Sequence, residues 1–350
     1  MKGLILAAGK GTRLRPLSYT KPKPLLPVAN QSVINYGIEQ LYNLGIREVG
    51  VVIHPSQEDI FKRYLQINYK KGIHVHYIFQ HEQKGISHAI GEAQSFIGSE
   101  PFVVLLGDNL IDESLTLLKD QFNKNGVHGA VMLSEVNRPQ DYGIAEIKNE
   151  RIINVQEKPQ APKSNLAVIG VYMFDPAIFT AIQSISPSAR GEYEITDVIQ
   201  WMIDNGCTVN YVKTDKPTFD VGTMERWLDA NRWKLKQKGD QWDNDFNGKY
   251  QDSIIIPPVK IGTNCHIENS IIGPYTSVES DVTIKNSFVQ NSIILKNARV
   301  ISVPYEIKDS IVGENTEIIS KEMNANTMQG IIGDQSSIIF SNSAAKRKKK

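Results

Sequence analysis

Past residue 248 the aliphatic residues return at every sixth position: Ile255, Ile261 and Ile267, then Ile272, Val278 and Ile284, then Val289, Leu295 and Ile301. An amphipathic helix repeats its apolar face every three or four residues and a half-buried strand every two, so neither has this period. A three-sided parallel β-helix does, because each side puts one aliphatic side chain into the prism and turns at Gly, Asn or Pro. The tetrapeptides DSII at Asp252, NSII at Asn269, NSFV at Asn286 and DSIV at Asp309 mark the coils at spacings of 17, 17 and 23 residues, the last being 17 plus one six-residue side. A left-handed parallel β-helix is therefore expected over residues 250–340, with interior residues that serve packing alone. The closing KRKKK run at Lys346 to Lys350 places a disordered basic tail at 341–350.

The first 240 residues obey a different pattern. Short apolar runs (GLILAA, VGVVIH, IHVHYIFQ, FVVLLGD) alternate with helical patterns at 33–44, 57–68 and 86–96. This reads as βαβ units in an α/β domain, a Rossmann-like mixed and mostly parallel sheet. Ligands collect at the carboxyl ends of such strands. Three segments lie there: the opening loop, QHEQKG at Gln80 to Gly85, and Asp108. A carboxylate ending a buried strand and facing a basic loop suits a hard divalent cation, although Asp108 taken alone reads first as a turn or helix cap. Farther on, YGIAEI, QEKPQAPKSNLAVIGVYMFD, PSARGEYEITDVIQ and PTFDVGTMERW set polar segments between apolar strands, where chemistry tends to reside.

The opening loop, LILAAGKGTRLRPLSYTKPKPLLP, turns through Gly9 and Gly11 and then carries Arg13, Arg15, Lys21 and Lys23. It lacks the third glycine of a dinucleotide fingerprint, and Lys10 is not followed by the Ser or Thr of a Walker loop. What remains is a strand running into a glycine turn whose N–H groups can cup an oxyanion. With a net charge of only +1 over 350 residues, an anion site must be local, and no nucleic-acid partner is expected. No apolar run reaches membrane-spanning length and no secretory leader precedes the first strand, so a soluble cytoplasmic protein with no membrane partner is expected. Cys207 and Cys265 form no CxxC pair, which argues against a disulfide framework or zinc knuckle.

In order, LAAGKGTRLRPLSYTKPKPLLPV, GDN, YGIAEI, EKP, GVYMFD, ARGEYEITDV and FDVGT resemble the sugar-1-phosphate nucleotidyltransferases. The likeness is strongest to the glucose-1-phosphate thymidylyltransferase branch, in its longer form with a β-helix. It covers residues 1 to about 238. The resemblance implies an enzyme that joins dTTP and glucose 1-phosphate with Mg²⁺, and a homo-oligomer. It assigns Leu6, Ala7, Ala8, Gly9, Gly11 and Thr12 to the triphosphate loop, with Arg13 and Lys23 neutralising charge at the α-phosphorus. Gln80 and Gly85 fall against the base. Asp108 and Asp220 become the metal ligands. Lys158 grips the phosphate of the sugar, and Tyr142, Gly143, Glu157, Gly170 and Glu192 line the hexose pocket. Three positions depart from the family's usual pattern: His88 replaces a glutamine, and Asp220 is preceded by Phe219 in place of Trp or Leu and followed by Val221 in place of Thr. Other classes stay open: UTP- or GTP-using relatives, a non-catalytic nucleotide-sensing subunit, and an acyl-transferring β-helix built on His266.

Overall fold

The computed structural model describes residues 1–68, 72–238, 250 and 252–320. The expected joint between the two parts, the end of the expected β-helix and the basic tail at 341–350 fall largely outside these residues.

The alternating half begins with β1 (Lys2–Leu6), α1 (Val33–Asn43), β2 (Glu48–Ile53), α2 (Glu58–Asn68), β3 (His74–Phe79), α3 (Ile86–Glu92) and β4 (Phe102–Leu106). These four strands are mutually parallel in the order β3-β2-β1-β4. Their sequences are nearly continuous apolar runs because helices cover both faces. Leu4, Val52, Phe102 and Val104 pack into one core, whereas Ile5, Val51, Val103 and Leu105 pack into the core on the opposite face. The helix expected over 86–96 is broken, with α3 ending at Glu92 and a separate turn at Gln94–Ile97.

Antiparallel ladders enter with the less regular half: β5 (Asn109–Ile111), β6 (Val127–Glu135), β7 (Gly143–Lys148), β8 (Arg151–Glu157) and β9 (Leu166–Phe174), followed by β10 (Thr208–Thr214) and β11 (Thr218–Asp220). β9 lies antiparallel to β4, β6 and β7, while β10 runs parallel to β6, giving a nine-stranded mixed sheet. β11 pairs instead with β5 as a two-stranded ribbon, with Asp220 opposite Asn109. That ribbon carries a residue from late in the chain to the carboxyl end of β4.

The region from Ile254 forms three stacks of parallel strands, the sides of a prism. Ile255, Ile272, Val289 and Ile307 stand in register on one side, Ile261, Val278, Ile294 and Val312 on the next, and Ile267, Ile284, Val300 and Ile318 on the third. The sixfold count therefore slips in the third coil: Ile294 and Val300 hold the interior register, not Leu295 and Ile301. One side is a residue shorter there, and Leu295 turns outward. The reading of the last tetrapeptide holds, because Ile311–Val312 stacks on Ile293–Ile294, one side along. Corners are turned by Asn264, Asp281, Asn297 and Asn315, all with left-handed backbone, which Asn and Asp tolerate best among non-glycine residues.

Leu295 joins Ile293 in an apolar cluster with Leu14, Leu26, Val28 and Trp227. The β-helix thus shares a core with the opening loop of the α/β half.

Candidate active site

Because β1 and β4 are parallel neighbours, with Leu6 opposite Leu106, the glycine loop and Asp108 emerge side by side. The amide of Gly107 donates to the carbonyl of Leu6 at 2.9 Å, and that of Val221 to Asp108 at 3.0 Å, fixing the three segments together. Gly11 has φ of 61°, a left-handed conformation that starts the short 3-10 turn Thr12–Leu14. Among the described residues the amides of Gly9 and Gly11 donate to no acceptor, as an anion cup requires. Ala7 and Ala8 are buried, and the Ala8 carbonyl accepts from Gln83 Nε2 at 3.0 Å, tying this loop to the one after β3.

Lys23 is only 7% exposed. Its ammonium donates to Asp108 Oδ2 and, at 2.8 Å, to Asp220 Oδ1. Burial on its own would lower the lysine's pKa, but the two carboxylates outweigh it and hold the pKa above the ordinary lysine value. Asp220 is the mirror case: burial would raise its pKa, yet Lys23, Arg13 and Arg226 together depress it. Arg226 Nη1 lies 3.1 Å and Arg13 Nη2 3.6 Å from Asp220 Oδ2. Two hard oxygen donors that meet at one nitrogen fit a divalent cation of the magnesium type, which takes one or two carboxylates and completes its shell with water and phosphate oxygens. No group of three or more His, Cys, Asp or Glu suited to a metal occurs among the described residues.

A cavity of about 510 Å³ opens beside this cluster, lined among others by Arg13, Asp108, Tyr142, Glu157, Lys158 and Asp220. Gly143 and Gly170 line it as well. A side chain at either would force a neighbour to shift: a methyl on Gly143 would overlap Thr196 Cγ2, and one on Gly170 would overlap Asn109 Nδ2. Glu157 ends β8, and its Oε2 accepts from Thr196 Oγ1 at 3.2 Å. Burial, and secondarily the charge of Glu194, raises its pKa above the ordinary carboxylate value. Lys158 adopts φ of 40°, a sparsely populated conformation for a lysine that costs about 1 to 3 kcal/mol and is typical of functional positions.

Glu192 does not line the cavity; its carboxylate pairs with Arg190 at 3.3 Å. Gln80 is buried, its Nε2 directed to the Gly85 carbonyl at 3.3 Å and to His88 Nδ1 at 3.0 Å, so His88 does make a contact at the position where it departs from the family pattern. Gly85 itself has φ of 103° and sits against the Tyr193 backbone.

Residues 2–237 match the family described as Nucleotidyl transferase. The chain belongs to that family. The nucleotidyltransferase is 33% identical over 351 residues to a glucose-1-phosphate thymidylyltransferase of Streptomyces griseus, the match covering 96% of this chain and 98% of the relative. It is 36% identical over 229 residues to the UTP–glucose-1-phosphate uridylyltransferase AglF of Haloferax volcanii, covering 64% of this chain and 93% of that one. Among solved structures, UDP-glucose pyrophosphorylase complexed with UDP-glucose superposes with a TM-score of 0.61 at 27% identity, over 67% of this chain and 98% of the other. No helix among the described residues of the nucleotidyltransferase is long and apolar enough to cross a membrane.

Sequence reasoning missed Arg226, which bridges Asp220 and, at 3.3 Å, the hydroxyl of Tyr142. A signal was present. Arg226 falls in the first turn of α4 (Met224–Lys238), where the helix dipole disfavours a cation unless an acidic group or an anion faces it. Arg190 was also passed over; it holds Glu194 at 2.8 and 2.9 Å and lies 3.5 Å from Glu157.

Proposed function

We propose that this enzyme transfers a thymidylyl group from dTTP to glucose 1-phosphate, releasing pyrophosphate and forming dTDP-glucose. The observation that supports the reading is that Lys23 bridges Asp108 and Asp220 while Arg13 and Arg226 converge on Asp220, the two carboxylates and two arginines lining one cavity with Lys158, Glu157, Thr196 and Tyr142.

The phosphate of glucose 1-phosphate has a second pKa of about 6 and is largely dianionic at neutral pH, so it needs no general base. The obstacle is the approach of two polyanions: unit charges about 5 Å apart repel by about 3 kcal/mol at an effective dielectric of about 20. A glycine turn offers only partial charges, hence the full cations. In this reading the free amides of Gly9 and Gly11 receive the triphosphate. Arg13 and Lys23 neutralise charge around the α-phosphorus and the departing pyrophosphate, and Lys158 orients the attacking phosphate for in-line displacement. Glu157 accepts hydrogen bonds from hexose hydroxyls, and the bare backbones at Gly143 and Gly170 leave room for the ring. Mg²⁺, held by Asp108 and Asp220, would supply Lewis-acid neutralisation of the phosphate oxygens.

The preference for dTTP is supported by a glucose-1-phosphate thymidylyltransferase relative that matches 96% of this chain. UTP is the second reading, favoured by the uridylyltransferase relative. The two nucleotides differ by a methyl and a hydroxyl, and a methyl contact is worth only about 1 to 3 kcal/mol. The test is a matrix of dTTP, UTP, GTP, CTP and ATP against glucose, mannose and N-acetylglucosamine 1-phosphates, read by pyrophosphate release. The highest kcat/KM is expected for dTTP with glucose 1-phosphate. A higher value for UTP would transfer the assignment, and no release with any pair would leave a nucleotide-sensing protein. Self-association through the β-helix is part of the same reading and is checked by sedimentation.

A further inference from the structure

Lys21 and Lys23 stand two residues apart in the opening loop and serve different parts of the molecule. Lys23 turns to Asp108 and Asp220, whereas Lys21, also largely shielded, forms an ion pair with Glu314 of the β-helix. A second β-helix carboxylate, Glu279, interacts electrostatically with Lys21; burial raises its pKa and the Lys21 charge opposes that rise. The contact continues along the loop. Leu14 and Leu17 pack with Ile293, Leu295 and Ile311, and a methyl placed on Gly313 would lie 3.2 Å from Leu17 Cδ2. Asn30 Nδ2 donates to the Val278 carbonyl at 2.7 Å. Asn231 Oδ1 accepts from both the Ala29 amide at 2.8 Å and Ser277 Oγ at 2.9 Å. Residues 14–30 are therefore held between the phosphate-facing cluster and the prism.

We propose that the β-helix positions the catalytic loop, and that Glu314, clasping Lys21 while Gly313 admits Leu17, is a positioning residue for a reaction carried out entirely in the other half of the chain. The inference rests on the function proposed above for the kinetic part of its test. Its physical basis is the steep distance dependence of orientation: a misplacement of about 1 Å costs about a hundredfold in rate. Arg13 and Lys23 flank the clasped segment, so any displacement of Lys21 is passed to both. The loop is also short of regular structure, with only brief turns at Thr12–Leu14, Leu17–Thr20 and Lys23–Leu25. An element of this kind takes its geometry from what packs against it.

The experiment uses the full chain. Glu314→Gln removes the charge of a side chain that is 36% exposed, and Gly313→Val keeps both charges while pressing on Thr316 Oγ1 and Leu17 Cδ2, which an added methyl would meet at 3.1 and 3.2 Å. Both are expected to lower kcat, expressed per folded enzyme as counted by circular dichroism and size-exclusion chromatography, about tenfold with KM for glucose 1-phosphate changed less than twofold; the normalisation is needed because simple loss of folded protein also lowers apparent kcat at constant KM. Lys21→Gln should match Glu314→Gln, and the double variant should be no worse than either. Hydrogen exchange at the amides of residues 11–25 should quicken in each variant while β1 keeps its protection. Unchanged kcat together with unchanged exchange in Glu314→Gln and Gly313→Val overturns the proposal. Should the wild-type chain release no pyrophosphate, the function reading fails, and loop exchange alone then decides the clasp.

Discussion

Replacing Lys23 by methionine keeps the aliphatic stem and removes the charge that two carboxylates share. Asp108 and Asp220, both bonded to Lys23 Nζ, are then left facing each other. Like charges about 5 Å apart repel by about 3 kcal/mol at an effective dielectric of about 20, and removing one partner from a buried pair costs about 3 to 5 kcal/mol. The carboxylates retain 30% and 26% exposure, so water screens them and the lower figure applies. In a domain of this size 1 kcal/mol moves the melting temperature by about 2 to 4 °C, which puts Lys23→Met about 6 to 12 °C below wild type in EDTA. Mg²⁺ at about one hundred times its Kd would restore about 2.7 kcal/mol, nearly closing the gap. Wild type should gain less, because there the cation competes with the Lys23 ammonium for the same oxygens. The variant is thus expected to bind Mg²⁺ more tightly while turning over far more slowly. The assay is scanning calorimetry in EDTA and in MgCl₂ at matched ionic strength. Equal melting of the two proteins in EDTA, or an equal gain from Mg²⁺, would refute the shared-charge argument.

Gly170→Ala drives a methyl into Asn109 Nδ2 and to 2.8 Å from Leu106 Cδ1, and should cost about 1 to 3 kcal/mol in urea unfolding along with a raised KM for glucose 1-phosphate. Arg226→Leu should reduce kcat/KM by about a hundredfold, the usual loss for one charge-stabilising donor, with little change in unfolding midpoint. Glu157 gives a pH signature: because its folded pKa lies above the reference value of 4.5, its stabilising contribution is fully present below pH 4.5 and is lost as pH rises through the folded value. Glu157→Gln, which does not titrate, should therefore gain stability relative to wild type toward neutral pH and lose that advantage in acid, as followed by urea midpoints from pH 4.5 to 8.

The four parallel strands were legible because a sheet covered on both faces demands apolar runs punctuated by helices, and residues 3–106 supply them. The antiparallel half was not. β9 is buried at all nine of its positions, so its alternation carries no sign of direction or partner. In the β-helix, Ile293, Ile294 and Leu295 are consecutive aliphatics, and a count of six cannot choose among them. The choice falls to the neighbouring domain, which takes Leu295 into the cluster around Trp227. Arg13, Lys23, Asp108 and Asp220 could be named as candidates from their motifs, but the bonding among them could not. Asp220 reaches Asp108 only through the ribbon of β5 and β11, whose strands are separated by more than one hundred residues.

That ribbon also explains how the site is stable before any substrate arrives. Arg13, Lys23 and Arg226 would repel one another if left alone, and Asp220 is within 3.6 Å of all three. Together with Asp108 it leaves the cluster with one net positive charge, enough to attract an anion and too little to expel its own cations. A dianionic sugar phosphate and a triphosphate bring several negative charges more than this surplus can balance. The shortfall is what a divalent ion on the same two carboxylates would make good, with Lys23 free to turn toward phosphate once it is no longer their counter-ion. On the proposed reading Asp220 would serve both the resting and the loaded state; its position in the chain, shortly ahead of the helix that carries Arg226, lets one short segment deliver the acid and its cation together.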